Sequence, residues 1–212
     1  MMPATLVVVP MKDPRLAKTR LRDTLDPGER TRFARHLFER TLRLLIDLRK
    51  ETPGLFDIAV VTGHAGIADR ATALGLRAIA ERSGATLNDA VTDAAAVARA
   101  SGYRRLCILP ADLAAPDPDD VRRLLTQKLE KGVVLCPSRD LGTNALLVCP
   151  PDALGFAYGP GSFRAHHAAA ERAGLAASVL PLDSLRWDID SSADLAELMD
   201  TAPALFRQDG EA

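Results

Sequence analysis

The sequence predicts an α/β fold in a single domain, with a mainly parallel sheet carrying helices on both faces. Short β-branched runs alternate with longer amphipathic stretches along most of the chain. The runs are continuously apolar, as in strands covered on both sides. A length of 212 residues, with no internal repeat and no linker-like composition, fits one domain with a core able to stand alone.

Leu6 to Val9 reads as a buried strand ending at Pro10. A helix then opens at Asp26, which can cap it, with Pro27 in the first turn and Glu29 completing a capping box. Phe33, Leu37, Thr41, Leu44, Leu45 and Leu48 continue it at helical spacing. Strands are expected at 58–61, 76–79, 106–109, 133–135, 145–148 and 178–180, and helices at 65–74, 87–100, 118–129, 163–172 and 191–199. Asp117 caps the helix at 118, and Ser191 or Ser192 the last one. The domain spans residues 1–202, and the polar segment 203–212 reads as a loose tail.

Composition excludes several classes. A net charge of −1 gives no bulk attraction to nucleic acid or to an anionic membrane. Aromatic content of 4% argues against base-stacking recognition of single strands. No apolar run is long enough to span a bilayer, and the N-terminal run is too short for a signal core, so the expected location is cytoplasmic. Cys107, Cys136 and Cys149 lack metal-ligand spacing and read as buried reduced thiols.

In such sheets ligands bind beyond the carboxyl ends of the strands. After the first strand, Lys12, Arg15, Lys18 and Arg20 fall within nine residues, a cationic loop suited to a triphosphate. No P-loop or dinucleotide fingerprint accompanies it. After the fourth strand, Pro110-Ala111-Asp112 places a hard carboxylate at the binding edge; Asp117 takes the capping duty and leaves Asp112 for Mg²⁺. In Trp187-Asp188-Ile189-Asp190, extended backbone puts both acids on one face, roughly 6–7 Å apart at Cα, where a divalent cation relieves their repulsion. Gly159-Pro160-Gly161-Ser162 leads into a helix whose first N–H groups can hold phosphate. Ser162 can cap that helix or donate its hydroxyl, and His166, one turn on, can touch an anionic ligand. Asn88 either reads a base edge or caps its helix.

These segments appear in a recognisable order: Pro10-x-Lys12, Lys18-Thr19-Arg20-Leu21, Leu87-Asn88, Pro110-Ala111-Asp112-Leu113, Gly142-Thr143-Asn144-Ala145-Leu146, Gly159-Pro160-Gly161-Ser162-Phe163 with His166, and Asp188-Ile189-Asp190. The set, from about Val7 to Leu198, resembles the 2-phospho-L-lactate guanylyltransferase family of coenzyme F420 biosynthesis. Asp13-Pro14 and the segment from Glu81 to Thr86 depart from the family pattern. The resemblance implies a nucleotidyltransferase fold and transfer of GMP from GTP to 2-phospho-L-lactate, phosphoenolpyruvate or 3-phospho-D-glycerate. It implies that Asp112, Asp188 and Asp190 bind Mg²⁺, and that Lys12, Thr143, Gly159 and Ser162 grip the acceptor phosphate and its surroundings, with Asn144, Gly161 and His166 beside them. Pro10, Lys18, Arg20, Asn88, Pro110 and Asp112 then fall to the nucleotide, with Lys12, Lys18 and Arg20 neutralising charge in the transfer. A homodimer and contact with the next transferase of the pathway are compatible partners. Two rival functions remain on sequence grounds: the same chemistry on another phosphorylated acceptor, and a nucleotide-binding module without turnover.

Overall fold

The computed structural model describes residues 4–203; the tail expected from 203 lies, beyond Pro203, outside the described residues. Seven strands among these residues form one sheet: β1 (Thr5–Pro10), β2 (Phe56–Thr62), β3 (Arg77–Ala80), β4 (Arg105–Ile108), β5 (Gly132–Pro137), β6 (Thr143–Cys149) and β7 (Ala176–Val179). Their spatial order is β3-β2-β1-β4-β6-β5-β7. Pairing is parallel except where β6 runs antiparallel to both β4 and β5.

Pleating explains the two cores. Val7 and Val9 face one side of the sheet, Leu6 and Val8 the other, and all four are fully buried. The first side is covered by α1 (Pro27–Glu51), α2 (Ala65–Ala73) and α4 (Pro118–Leu125), through residues such as Phe38, Leu42, Ile67 and Leu124. The second side is covered by α3 (Leu87–Ala100) and α5 (Ser162–Arg172), whose alanines, Ala94, Ala98 and Ala170 among them, let the backbones approach the sheet closely. A third, smaller apolar cluster joins Leu21, Leu25, Phe33 and Leu37 to Ala114, Ile189 and the closing helix α6 (Ser192–Thr201), which contributes Leu195 and Leu198.

The caps follow the local sequence. Asp26 and Glu29 form the capping box of α1, Asp117 accepts from Asp119 N at the head of α4, and Ser191 with Asp194 boxes α6. α4 stops at Leu125, four residues short of expectation, because the chain must turn there to enter β5. The three cysteines are free and buried, in β4, β5 and β6. No helix among the described residues is long and apolar enough to cross a membrane.

Candidate active site

The parallel strands bring the segments after β1, β2, β3 and β4 to one edge of the sheet. Because β6 is reversed, its first residues, Thr143 and Asn144, start at that same edge, near the end of β4. There the structure has a cleft of about 1160 Å³, lined among others by Pro10, Lys12, Lys18, Pro110, Asp112 and Thr143. Asn144, Asp188 and Asp190 complete its acidic end.

Backbone pairing unites the aspartates. Leu113 bridges Asp188 in antiparallel fashion, Ile189 N donates to Asp112 O (3.2 Å) and Ala114 N to Trp187 O (2.8 Å). α1 props the same turn: Arg40 donates to Ala114 O, and Thr41 Oγ1 to Ala111 O (3.5 Å). Side chains 76 positions apart in sequence are thereby fixed on paired backbone, not on free loops.

Between the acids lies Lys18. Its Nζ is 2.5 Å from Asp112 Oδ2 and 3.1 Å from Asp190 Oδ1, and the side chain is only 4% exposed. Burial pushes the ammonium's pKa down, but the two carboxylates outweigh burial and hold it above its ordinary value. Lys18 takes a left-handed backbone (φ 53°) at the junction of two short 3₁₀ turns, Pro14–Leu16 and Thr19–Leu21. That costly conformation in a non-glycine residue is what delivers the amine inward. Arg20 lies outside the cleft, mostly exposed, 3.6 Å from Asp190 Oδ2. Lys12 is exposed on the cleft wall.

Asp188 is the strained member. Burial first, then the charges of Asp112 and Asp190, raise its carboxyl to about 6, although Asn144 Nδ2 donates to its Oδ1 (3.2 Å) and opposes the shift. A second bond from Asn144 Nδ2 to Leu185 O (2.9 Å) fixes that amide. The folded state thus holds a proton that the unfolded chain releases between 3.8 and about 6, so without a bound cation stability falls as pH rises through that window. Thermal melts of the cation-free protein should show this slope, and Asp188→Asn should lack it; an unchanged slope would show that the shift lies elsewhere.

Among the described residues no three His, Cys, Asp or Glu side chains form a ready cation cage. The amine of Lys18 occupies the space between two of the acids instead. A seat that already holds one cation between carboxylates, next to a third carboxylate destabilised by its neighbours, is chemically suited to Mg²⁺, which needs only one or two protein carboxylates beside phosphate oxygens.

Several expectations are corrected. Asn88 caps nothing: Thr86 and Asp89 form the capping box of α3. The Asn88 amide is engaged at both ends by Tyr158, accepting from its N (2.6 Å) and donating to its O (3.1 Å), and the residue does not line the cleft. Ser162 does not cap α5 either, since the N-cap is the left-handed Gly161. Ser162 N donates to Gly159 O (3.0 Å), and its buried hydroxyl oxygen accepts from Thr143 N (2.9 Å), pinning the start of β6. Gly159 and Gly161 are exposed and lie off the cleft lining.

His166 is wholly buried. Ala157 N donates to its Nε2 (3.0 Å), so Nδ1 carries the proton and donates to Thr143 Oγ1 (2.9 Å). Burial lowers its pKa to about 4, which keeps the ring neutral. Thr143 Oγ1, used as an acceptor by His166, retains its own proton to give. His166→Phe leaves the Ala157 N–H unpaired, and a loss of about 1–3 kcal/mol in denaturant unfolding is expected; unchanged stability would mean the ring only fills space.

Sequence reading missed His64, Glu81 and Ser83, which line the far half of the cleft after β2 and β3. The rule applied after β1 and β4 would have found them, since all four strands end at one edge.

Comparison with known proteins shows the family. Residues 5–202 match the family model described as guanylyl transferase, CofC like. A 3-phospho-D-glycerate guanylyltransferase from Colwellia psychrerythraea is 37% identical over 90% of this chain and 89% of its own. A phosphoenolpyruvate guanylyltransferase from Rubrobacter xylanophilus is 35% identical over 96% and 98%. A 2-phospho-L-lactate guanylyltransferase from Methanothermobacter thermautotrophicus is 30% identical over 92% and 84%. Among solved structures, one described as a nucleotide-diphospho-sugar transferase from Desulfovibrio desulfuricans superposes with a TM-score of 0.76 at 20% identity, over 98% of each chain, which bears on the fold alone. The chain therefore belongs to the CofC-like guanylyltransferase family and has the single-domain nucleotidyltransferase fold.

Proposed function

We propose that the protein is a cytoplasmic, Mg²⁺-dependent enzyme of coenzyme F420 biosynthesis that joins GMP from GTP to a small phosphorylated carboxylic acid. The observation that carries this reading is the convergence of Lys18, Asp112, Asp188 and Asp190 in one cleft of about 1160 Å³, which has room for a nucleotide. An acceptor phosphate oxygen forms a bond to the α-phosphorus in line with the α–β bridging oxygen. That bridge breaks, and its electron pair leaves on pyrophosphate. The acceptor phosphate is already largely ionised at neutral pH, its second pKa being about 6, so no protein base is required. This agrees with a neutral, buried His166 that is committed to Thr143.

What the chain supplies is position and charge. Lys18 and the exposed Lys12 face the cleft and offset phosphate charge. Mg²⁺ held by Asp112, Asp188 and Asp190 would neutralise the charge that develops on the transferred phosphoryl group. Thr143, at the start of β6, offers a hydroxyl donor to the acceptor. The named relatives act on 3-phosphoglycerate, phosphoenolpyruvate and 2-phospholactate, and the acceptor here is one of these acids.

Incubation with GTP, Mg²⁺ and all three acids, followed by mass spectrometry, tests the proposal. One dominant guanylylated acid with stoichiometric pyrophosphate is expected. Tight GTP binding with no pyrophosphate from any acid would reduce the protein to a nucleotide-binding module.

A further inference from the structure

We propose that Glu81 selects guanine, by accepting from the N1–H and N2 amino donors of the base at the end of the cleft remote from the aspartates. This rests on the guanylyltransferase reading for the identity of the base. It goes beyond that reading in assigning the residue that reads it.

Position comes first. Glu81 follows the last residue of β3, and its N–H donates to Thr62 O (3.1 Å), extending the β2–β3 pairing by one step. Its backbone is therefore set by the sheet. The strand order β3-β2-β1-β4 puts it three strand spacings, about 14 Å, from the edge position of Asp112. An extended nucleoside triphosphate with phosphates at Lys18 and Asp112 reaches that far. The side chain folds over the segment after β2: a methyl group placed on Gly63 would lie 3.8 Å from both Cβ and Oε2 of Glu81.

Next comes the carboxylate's freedom. The other acids lining the cleft are engaged. Asp13 pairs with Arg15 (2.6 Å), Asp112 and Asp190 share Lys18, and Asp188 accepts from Asn144. The adjacent cation Arg82 turns to Asp93 (2.7 Å) and not to Glu81. Among the described cleft-lining carboxylates, Glu81 alone keeps both oxygens for a ligand. Ala65, Ala85 and the exposed Leu87 line the same end and offer apolar walls for a purine ring.

The chemistry discriminates. Guanine presents two adjacent donors that match the two oxygens of a carboxylate. Adenine presents an acceptor at N1, which would face Glu81 oxygen against oxygen-like lone pair. Xanthine replaces the N2 amine with a carbonyl, which the carboxylate repels but an amide can serve as donor.

The test is nucleotide affinity of the full chain, measured calorimetrically for GTP, ITP and XTP without acceptor, alongside pyrophosphate release with acceptor. Wild type should favour GTP over XTP. Glu81→Gln should weaken GTP about 10- to 100-fold while strengthening XTP, reversing the preference, as expected for exchanging one hydrogen-bond pattern for its complement. A gain for XTP cannot come from misfolding. A GTP-to-XTP ratio unchanged by Glu81→Gln overturns the assignment. Wild-type protein that binds GTP selectively but releases no pyrophosphate would defeat the transfer reading and leave the assignment of Glu81 standing on the affinities.

Discussion

Asp188→Asn is expected to lower pyrophosphate release by on the order of 10³-fold: in the proposed mechanism Asp188 helps hold the cation at the reacting phosphate, and losing that charge removes several kcal/mol of transition-state stabilisation. The fold should survive and even gain. Asp188 is the acid whose environment opposes its charge, raised to about 6 by burial and by Asp112 and Asp190. An amide of the same shape carries no charge to repel those neighbours and can still accept from Asn144 through its oxygen. The variant should therefore melt at or above the wild-type temperature at pH 7.5 without divalent cation. Higher thermal stability together with lost turnover is the signature of a group strained for function. Wild-type turnover in this variant would remove Asp188 from the chemistry and with it the Mg²⁺ role given to the three acids.

Lys18→Met is expected to reduce turnover about 10²-fold or more, as in the loss of a preorganised cation at a phosphoryl group. The methionine stem replaces the buried methylenes, so packing is retained. Stability should change little, since Asp112 and Asp190 are about a third and a half exposed and water can solvate them once the amine is gone. A second readout separates charge neutralisation from simple support. With the amine removed, Asp112 has no counter-ion and Asp190 keeps only the exposed Arg20 at 3.6 Å, and Mn²⁺ should bind the nucleotide-free variant more tightly than wild type. Full activity in Lys18→Met, or unchanged Mn²⁺ affinity with lost activity, would contradict the placement of the amine between the acids. Lys18→Arg is not a conservative alternative: the planar guanidinium does not fit a seat that holds a compact ammonium 2.5 and 3.1 Å from two oxygens.

Most of the fold was legible because its signals are local. Apolar runs marked the strands, and the capping residues at Asp26, Asp117 and Ser191 marked helix starts. What local signals could not carry was the reversal of β6, which depends on pairing with β4 and β5 far along the chain. The acids were legible for a similar reason: Asp112 follows a strand-like run with the capping duty taken by Asp117, and Asp188 and Asp190 alternate along one extended segment. Ser162 as a helix cap was misplaced, and the burial of His166 went unseen, because a buried polar residue and a ligand-facing one look alike in sequence. Only the partners, Ala157 N and Thr143 for the imidazole and Thr143 N for the hydroxyl, tell them apart. Asn88 was misplaced for the same reason, its partner Tyr158 being 70 positions away.

The small third cluster has a bearing on how the enzyme fails. Leu21 and Leu25 follow the lysine loop, Ile189 lies between two of the acids, and Leu195 and Leu198 anchor α6 upon them. The contact of Lys18 with Asp190 spans 172 positions of chain, yet few apolar residues secure that region compared with the two cores that flank the sheet. Modest heat or denaturant should peel this corner away while the sheet persists, since sparsely packed units open first. Inactivation is then expected to precede the loss of circular dichroism, and to reverse on cooling, with the protein switching off well before it comes apart.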